Sequence, residues 1–266
     1  MNTIELGISI RQALHCYHRP MLLNLVAIML SGMGLQGRAV VVTGGTGALG
    51  SALIDVLVRE GATCVVPCVI EAELKNFRFR EHAQVRTLFP VELTDEGQVA
   101  ALYDGVNALW ASIHIAGGFG MSNFVETTVE QFTAQLDMNL RTCFLTCRAA
   151  ARRMGANGLS GGRIVNISAR PGLRPELGGG MVPYAVAKSG VATLTQSLAA
   201  ELMAMGILVN AIAPSVLDTP ANRSAMPEAQ HGDWVPLSAA ADLIAYLASP
   251  ANAAVTGAIV PIYARS

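Results

Sequence analysis

The chain is poor in charge. Only 14% of its 266 residues are charged, and the formal net charge is −1. This balance gives no electrostatic case for nucleic acid as the main partner. Hydrophobic residues make up 52% of the sequence, and the 26 glycines follow no strict period. Disordered and collagen-like classes are therefore excluded, and a chain of this length can bury a large core.

Cysteine is also scarce. The five cysteines are odd in number and form no CxxC pair, so neither a disulfide scaffold nor a zinc site is indicated. Cys143 and Cys147 lie one helical turn apart and could in principle ligate a metal, but we interpret them as small apolar residues on a buried helix face. The five histidines form no metal constellation in the sequence. We therefore expect no metal and a reducing, cytoplasmic location.

The apolar run near the N-terminus is short for a membrane-spanning helix. Residues 21–30 are apolar apart from Asn24 and follow Arg11, His18 and Arg19, but a span needs about 20 apolar residues. Three interpretations of residues 1–34 stay open: a terminal helix or extension, a membrane or export signal, or a start site upstream of a true first residue at Met33. We assign residues 35–266 to one domain and do not expect a membrane partner.

From residue 37 onward, apolar β-rich runs alternate with helical patterns. The expected strands are residues 39–42, 63–70, 85–91, 108–115, 162–168, 208–212 and 258–262. The expected helices are residues 48–59, 95–106 (with Thr94 as its N-cap), 129–154, 184–205 and 237–248. Strands that are apolar throughout and alternate with helices imply a parallel sheet covered on both faces. The sequence therefore predicts an α/β, single-domain Rossmann fold, with a doubly wound seven-stranded parallel sheet and helices on both faces.

A glycine-rich segment, Thr43-Gly44-Gly45-Thr46-Gly47-Ala48-Leu49-Gly50, lies where the first strand passes to the first helix. Glycines permit a tight turn and a close approach of the backbone to a pyrophosphate, and the helix N-terminus offers N–H groups and positive dipole to phosphates. The position of this segment predicts dinucleotide binding by Gly44, Thr46, Gly47, Ala48, Leu49 and Gly50.

A second motif, Tyr184-Ala185-Val186-Ala187-Lys188, places a phenol and an amine four residues apart. Residues at this spacing share one helical face. A nearby lysine charge, together with a positive nicotinamide ring, favours the phenolate and lowers the pKa of Tyr184 from its ordinary value of about 10. Tyr184 could then donate a proton to a carbonyl oxygen or take one from an alcohol.

In this combination the two motifs resemble those of the short-chain dehydrogenase/reductase family, in its short single-domain branch, over residues 37–262. The glycine spacing is nearer the extended branch, because Ala48 stands where the short branch commonly has glycine. The resemblance implies an NAD- or NADP-dependent oxidoreductase that interconverts a carbonyl and an alcohol on a small-molecule substrate. It also implies a homo-oligomer, a dimer or tetramer that pairs its long helices across subunits.

The resemblance further assigns roles to individual residues. Lys188 would hold the nicotinamide ribose, and Asn139 would support a water chain to that lysine. Residues 221–233 resemble a mobile substrate lid, although they also fit an ordinary surface loop. The remaining implied cofactor contacts are Glu92 at the adenine, the backbone of Ala116 and Gly117, and the segment containing Pro214 and Thr219.

Three departures from the family pattern fall on functional positions. Direct alignment puts Ala169 at the position of the catalytic serine, so Ser168 could serve only if a bulge rotated it inward. Without it, Tyr184 alone would polarise the carbonyl. Cys68 stands where an acidic or basic residue normally selects NAD or NADP; Glu71 is a late acidic candidate, and the preference stays open. His114-Ile115 replaces two asparagines, and we interpret His114 as structural.

The altered serine position motivates an alternative function. The chain could be a catalytically impaired protein that keeps the dinucleotide-binding fold and acts as a sensor or scaffold. Tyr184 and Lys188 together argue for the enzyme.

Overall fold

The computed structural model describes residues 32–156 and 161–266. Residues 1–34, to which the three interpretations of the N-terminal segment apply, lie almost entirely outside these ranges, so those interpretations stay predictions. Within the described ranges, no helix combines the length and the apolar character that crossing a membrane requires.

The sheet has seven strands, all parallel, in the order β3-β2-β1-β4-β5-β6-β7. This confirms the predicted doubly wound sheet. The strand order reverses between β1 and β4, so a ligand crevice is expected there, beyond the carboxyl ends of the strands. The strands are β1 Ala39–Thr43, β2 Thr63–Pro67, β3 Val85–Leu88, β4 Leu109–His114, β5 Gly162–Ile167, β6 Ile207–Pro214 and β7 Ile259–Ile262.

Helices cover both faces of the sheet. Two apolar cores result: one includes Leu53 and Ile244, and the other includes Leu102, Leu145 and Val191. The α-helices of the described residues are α1 Ala48–Arg59, α2 Glu71–Asn76, α3 Glu96–Asp104, α4 Val129–Leu136, α5 Thr142–Ala156, α6 Arg170–Leu173, α7 Val182–Glu201, α8 Pro220–Ala225 and α9 Leu237–Ala248. The bounds of α1 and α9 are those predicted.

Several sequence-based expectations about the helices and strands are wrong. The N-cap of α3 is Asp95, which accepts a hydrogen bond from the Gln98 N–H at 2.9 Å, whereas the Thr94 hydroxyl donates to Glu92. The expected helix over 129–154 is divided by a π-helical turn, Asp137–Arg141. The expected strand over 63–70 ends at Pro67, and the short helix α2 follows it.

Candidate active site

The glycine turn joins β1 to α1 and lies against the end of β4. Gly44 has φ +66°, and a Cβ on it would lie 2.7 Å from the backbone N of Ala116. A Cβ on Gly50 would lie 2.2 Å from the Gly44 carbonyl oxygen. Glycine is thus required at position 44 by conformation and by space, and at position 50 by space alone.

The N-terminus of α1 is suited to a phosphate group. Its N-cap, Gly47, provides no side-chain hydrogen bond to the first N–H groups of the helix. Those N–H groups have no partner within the helix either, and they carry the positive end of its dipole. A phosphate group at this end would satisfy them.

A crevice of about 570 Å³ opens over this turn. Its volume lies within the range of small-molecule sites, roughly 300–1,000 Å³. Together with the close glycine contacts and the uncapped helix, it fits a dinucleotide. Nine of the residues that sequence reasoning predicted to bind a cofactor line it: Gly44, Thr46, Gly47, Ala48, Leu49, Gly50, Glu92, Ala116 and Gly117.

Four other predicted cofactor residues, Pro214, Thr219, Tyr184 and Lys188, are not part of that lining. Pro214 ends β6 at the same carboxyl edge of the sheet. Thr219 is the N-cap of α8, and its hydroxyl accepts a hydrogen bond from the Asn222 N–H at 3.1 Å. The hydroxyl therefore already has a structural partner.

Tyr184 and Lys188 lie in the first two turns of α7. The Lys188 Nζ is 5.8 Å from the centroid of the Tyr184 ring and donates a hydrogen bond to the Ile167 carbonyl oxygen at 2.9 Å. A Cβ on Gly117 would lie 3.6 Å from that Nζ. Since Gly117 also lines the crevice, the amine lies beside the crevice and not on the far side of the helix.

The Tyr184 ring lies against the loop that follows β4. Its centroid is 5.1 Å from that of Phe119, in an edge-to-face arrangement. Phe119 is itself 60% exposed. Sequence reasoning did not select Phe119, because only the fold shows that this loop crosses in front of α7.

Burial shifts the pKa values of both groups. It raises the pKa of Tyr184 to about 12, in contrast to the lowering expected from the sequence. Desolvation disfavours the charged form of each group, and within the chain the Lys188 charge does not offset it. Burial likewise lowers the pKa of Lys188 to about 8, against a smaller raising effect of Cys143.

Asn139 lies in the π-helical turn, and its side chain is fully hydrogen bonded. Its Nδ2 donates to the carbonyl oxygens of Gly118 at 3.0 Å and Gln135 at 3.1 Å, and its Oδ1 accepts from the Gly118 N–H at 3.2 Å. A Cβ on Gly117 would lie 2.6 Å from that Oδ1. The turn therefore brings Asn139, Gly117 and Lys188 together at the crevice.

The Ser168 side chain is bonded to the backbone of α7. Its Oγ is buried and donates to the Lys188 carbonyl oxygen at 2.8 Å. The pairing of β5 with β6 is regular from Gly162 to Ile167, so the bulge that could have rotated Ser168 inward is not present along that strand. Ala169, which is 4% exposed, follows as the N-cap of α6.

His114 belongs to a buried hydrogen-bond network. Its Nε2 is 2.8 Å from the Ser112 Oγ, and its Nδ1 is 2.8 Å from the Asn166 Oδ1. The fold also brings the Cys147 Sγ to 3.3 Å from that Nδ1 and to 4.0 Å from the Cys143 Sγ. The ligand atoms of His114, Cys143 and Cys147 thus lie within 4.8 Å of one another. The sequence analysis considered the two cysteines as a pair but missed His114, which is about 30 residues away in the chain.

The structure adds Glu73, which sequence reasoning also missed. It lines the crevice, and its Oε2 accepts a hydrogen bond from the Thr46 hydroxyl at 2.6 Å. The sequence-based candidate in the same helix, Glu71, forms an ion pair with Lys75 instead. The sequence did contain a signal for Glu73, namely its distance from the glycine turn. An acidic residue roughly 20 residues beyond such a turn is expected at the adenosine ribose.

The fold and the site define a Rossmann-type protein with a glycine turn at the crevice and the amine of Lys188 beside it. The sequence profile described as short chain dehydrogenase matches residues 38–230. The chain therefore belongs to the short-chain dehydrogenase family, which is a family of oxidoreductases.

The named relatives of the chain are also dehydrogenases, in agreement with this family assignment. The chain is 33% identical over 245 residues to a cis-4-hydroxycyclohexanecarboxylate dehydrogenase of Sinomonas cyclohexanicum, covering 87% of this chain and 97% of the relative. It is 30% identical over 249 residues to a 2,3-dihydroxy-2,3-dihydro-p-cumate dehydrogenase of Pseudomonas putida, covering 86% and 93%. A solved short-chain type dehydrogenase/reductase of Mycobacterium ulcerans shares the fold, with a TM-score of 0.77, 24% identity and coverage of 87% and 90%.

Proposed function

We propose that the chain is an NAD(P)-dependent dehydrogenase that interconverts a secondary alcohol and a ketone, with Tyr184 as the proton donor and acceptor. The observation that carries this proposal is the position of Lys188 beside Gly117, which lines the crevice of the glycine turn. The named substrates of the two relatives, a hydroxycyclohexanecarboxylate and a dihydrodiol, carry secondary hydroxyl groups.

The residues that line the crevice would hold the dinucleotide, with its pyrophosphate at the N-terminus of α1. When bound, the nicotinamide supplies the hydride acceptor or donor. Tyr184 takes the hydroxyl proton as the alcohol is oxidised, or returns it to the carbonyl oxygen in the reverse direction. A cation beside the phenol favours its ionised form, so Lys188 would assist that transfer.

Asn139 and Gly117 would keep the lysine side of the site in place. The Asn139 amide is fixed to the backbone of Gly118 and Gln135. With alanine at position 169 and the Ser168 hydroxyl bonded to α7, Tyr184 is the group that we expect to polarise the carbonyl. A site with one such donor fewer keeps its chemistry but loses rate.

A second candidate is a dinucleotide-binding protein without useful turnover, and the observation that favours it is Ala169. The two are separated by assaying the purified chain with NAD, NADP and a panel of cyclic secondary alcohols, and by measuring dinucleotide binding by calorimetry. Turnover supports the enzyme. Tight binding of a dinucleotide without turnover on any alcohol or ketone would favour the second candidate.

We also propose that the chain forms a homo-oligomer through the outer faces of α5 and α7. Leu140, Phe144 and Leu194 line one apolar hollow, and Phe144 is 45% exposed. Burying such a surface is a common reason for association. Measurement of the molar mass in solution by light scattering tests this proposal. The cytoplasmic location stays a prediction.

A further inference from the structure

Three side chains of the kinds that ligate metals meet between β4 and α5. His114 is the last residue of β4, and Cys143 and Cys147 lie one turn apart on α5. All three are buried, with exposures of 4%, 4% and 1%, and their ligand atoms lie within 4.8 Å of one another. Because the imidazole comes from the sheet and the thiols come from a helix, the spacing of these residues along the chain does not indicate the site.

The distances between these atoms are close to those around a tetrahedral zinc ion. Zinc lies about 2.3 Å from a thiolate sulfur and about 2.0–2.1 Å from an imidazole nitrogen, which places two sulfur ligands about 3.8 Å apart and a sulfur and a nitrogen about 3.6 Å apart. The two Sγ atoms are 4.0 Å apart, and the Cys147 Sγ is 3.3 Å from the His114 Nδ1. The remaining pair, the Cys143 Sγ and the imidazole, lies within 4.8 Å, so it has at most about 1.2 Å to close.

The other side of the imidazole is held as it is in a metal-bound histidine. The His114 Nε2 is 2.8 Å from the Ser112 Oγ, which is itself 2.6 Å from the Tyr103 hydroxyl. A ligating histidine almost always donates its second N–H to an oxygen, which fixes its tautomer and the orientation of its ring. With Nε2 protonated and directed at Ser112, the lone pair of Nδ1 faces the thiols.

Asn166 supplies a fourth donor atom. Its Nδ2 donates to the Thr195 hydroxyl at 2.9 Å, and that hydroxyl donates to the Val191 carbonyl oxygen at 2.8 Å. The single hydroxyl proton of Thr195 is thus already used, so the Asn166 amide cannot be reversed without losing its bond to Thr195. Its Oδ1 is therefore directed at the ligands, 2.8 Å from the His114 Nδ1 and 3.4 Å from the Cys147 Sγ.

The charges of such a site also balance. Cysteines ligate metals as thiolates, so binding of the ion releases the two thiol protons. Two thiolates cancel the charge of Zn²⁺, and the buried site then carries no net charge, which would be costly there. Thiolate and imidazole ligands suit zinc, whereas Mg²⁺ and Ca²⁺ prefer oxygen ligands. We propose that His114, Cys143 and Cys147 bind a structural Zn²⁺ ion, with the Asn166 amide oxygen as its fourth ligand. The ion holds α5 against β4.

The test is the metal content of the purified protein. Since the site is buried, the chain is produced in medium supplemented with zinc, purified with a reductant and without chelators, and analysed by elemental mass spectrometry. We expect about one zinc ion per chain in the wild type. Cys143→Ala and Cys147→Ala should each lower this content by at least about 10-fold, because even the loss of a partner outside the ligand set weakens metal binding by roughly 10- to 100-fold.

Cys64→Ala is the matched control. Cys64 is another buried cysteine, 1% exposed, but it lies in β2 and outside this group of ligands, so its replacement should leave the zinc content unchanged. A second measurement needs no variant and therefore holds even where a variant fails to fold. Wild-type protein produced with cobalt in place of zinc should show the intense charge-transfer absorption of thiolate-bound cobalt.

Folded, reduced wild-type protein that contains no zinc would overturn the inference, as would cobalt-loaded protein without the thiolate absorption. Copper or iron in place of zinc would also contradict it. Zinc retained at the wild-type level in both folded cysteine variants would place the ion elsewhere on the chain and remove the site.

Discussion

Two polar clusters lie at the carboxyl edge of the sheet, and they differ in how their polar atoms are used. The first, the His114 cluster, consists of His114, Ser112 and Asn166. Both nitrogens of its imidazole ring have partners inside the protein, Ser112 and Asn166. The second, the Tyr184 cluster, consists of Tyr184, Lys188 and Phe119. Its phenol ring contacts Phe119, but its hydroxyl forms no hydrogen bond with another described residue. Tyr184 is only partly buried, whereas His114 is buried with both ring nitrogens engaged. The phenol is therefore the group available to a ligand, and His114 serves the fold.

The strongest test of this comparison is Tyr184→Phe. Removal of the hydroxyl should lower kcat by about 100- to 10,000-fold, the usual contribution of a positioned acid or base. The ring and its contact with Phe119 remain, so dinucleotide affinity and thermal stability should change little. Steady-state kinetics with calorimetry check both statements. Activity within a few-fold of wild type would remove Tyr184 from the mechanism.

Replacement of His114 by alanine should have the opposite effect: it should lower stability and change kcat little. It removes one hydrogen bond from each of the buried Ser112 and Asn166 side chains, which keep their contacts with Tyr103 and Cys147. We expect the free energy of unfolding to fall by roughly 1–3 kcal/mol, the net contribution of two hydrogen bonds. Denaturant unfolding measures this, and the activity of the folded fraction should stay near wild type. A stable variant with a large loss of kcat would show that the two clusters do not divide their roles in this way.

Two matched variants test the missing catalytic serine, one by adding a hydroxyl group and the other by removing one. Ala169→Ser adds a hydroxyl at the aligned position and should raise kcat by about 10-fold, a modest share of what an oxyanion donor contributes. Ser168→Ala removes the hydroxyl that binds the Lys188 carbonyl oxygen, so it should lower stability more than kcat. A 100-fold loss of kcat in Ser168→Ala, with the protein folded, would instead assign Ser168 the role of the missing donor.

Local sterics explain what the sequence could predict. The glycine turn and the Tyr184–Lys188 pair depend on neighbours within one turn or one helix, so their placement follows from local geometry. The contact of Glu73, and not Glu71, with Thr46 depends on how α2 packs beside the glycine turn, which no local sequence pattern predicts. The contact of Cys147 with His114 likewise depends on how α5 packs on β4. Interactions that cross between elements therefore had to come from the fold.

The smallest expected effect concerns Lys188, the charged member of the Tyr184 cluster. Its pKa is about 8 in the folded protein, below its ordinary value of 10.5. At this residue the unfolded chain therefore binds more protons between these values, so the contribution of Lys188 to stability should rise with pH from about 8 toward 10.5. Since one pKa unit corresponds to 1.36 kcal/mol, the rise from pH 8 to pH 9 should be about 1 kcal/mol.

Lys188→Met should abolish this rise, because methionine does not titrate. Lys75→Met is the control: Lys75 is 63% exposed and paired with Glu71, so the rise should persist in that variant. The measurement is denaturant unfolding across pH 7.5–9.5, below the range in which Tyr184 ionises. Burial also raises the pKa of the Cys64 thiol, which makes a contribution that falls with pH over the same range, so the effect of Lys188 is read from the difference between the wild-type and Lys188→Met curves. A difference that does not change with pH would mean that the Lys188 ammonium keeps its ordinary pKa in the folded protein.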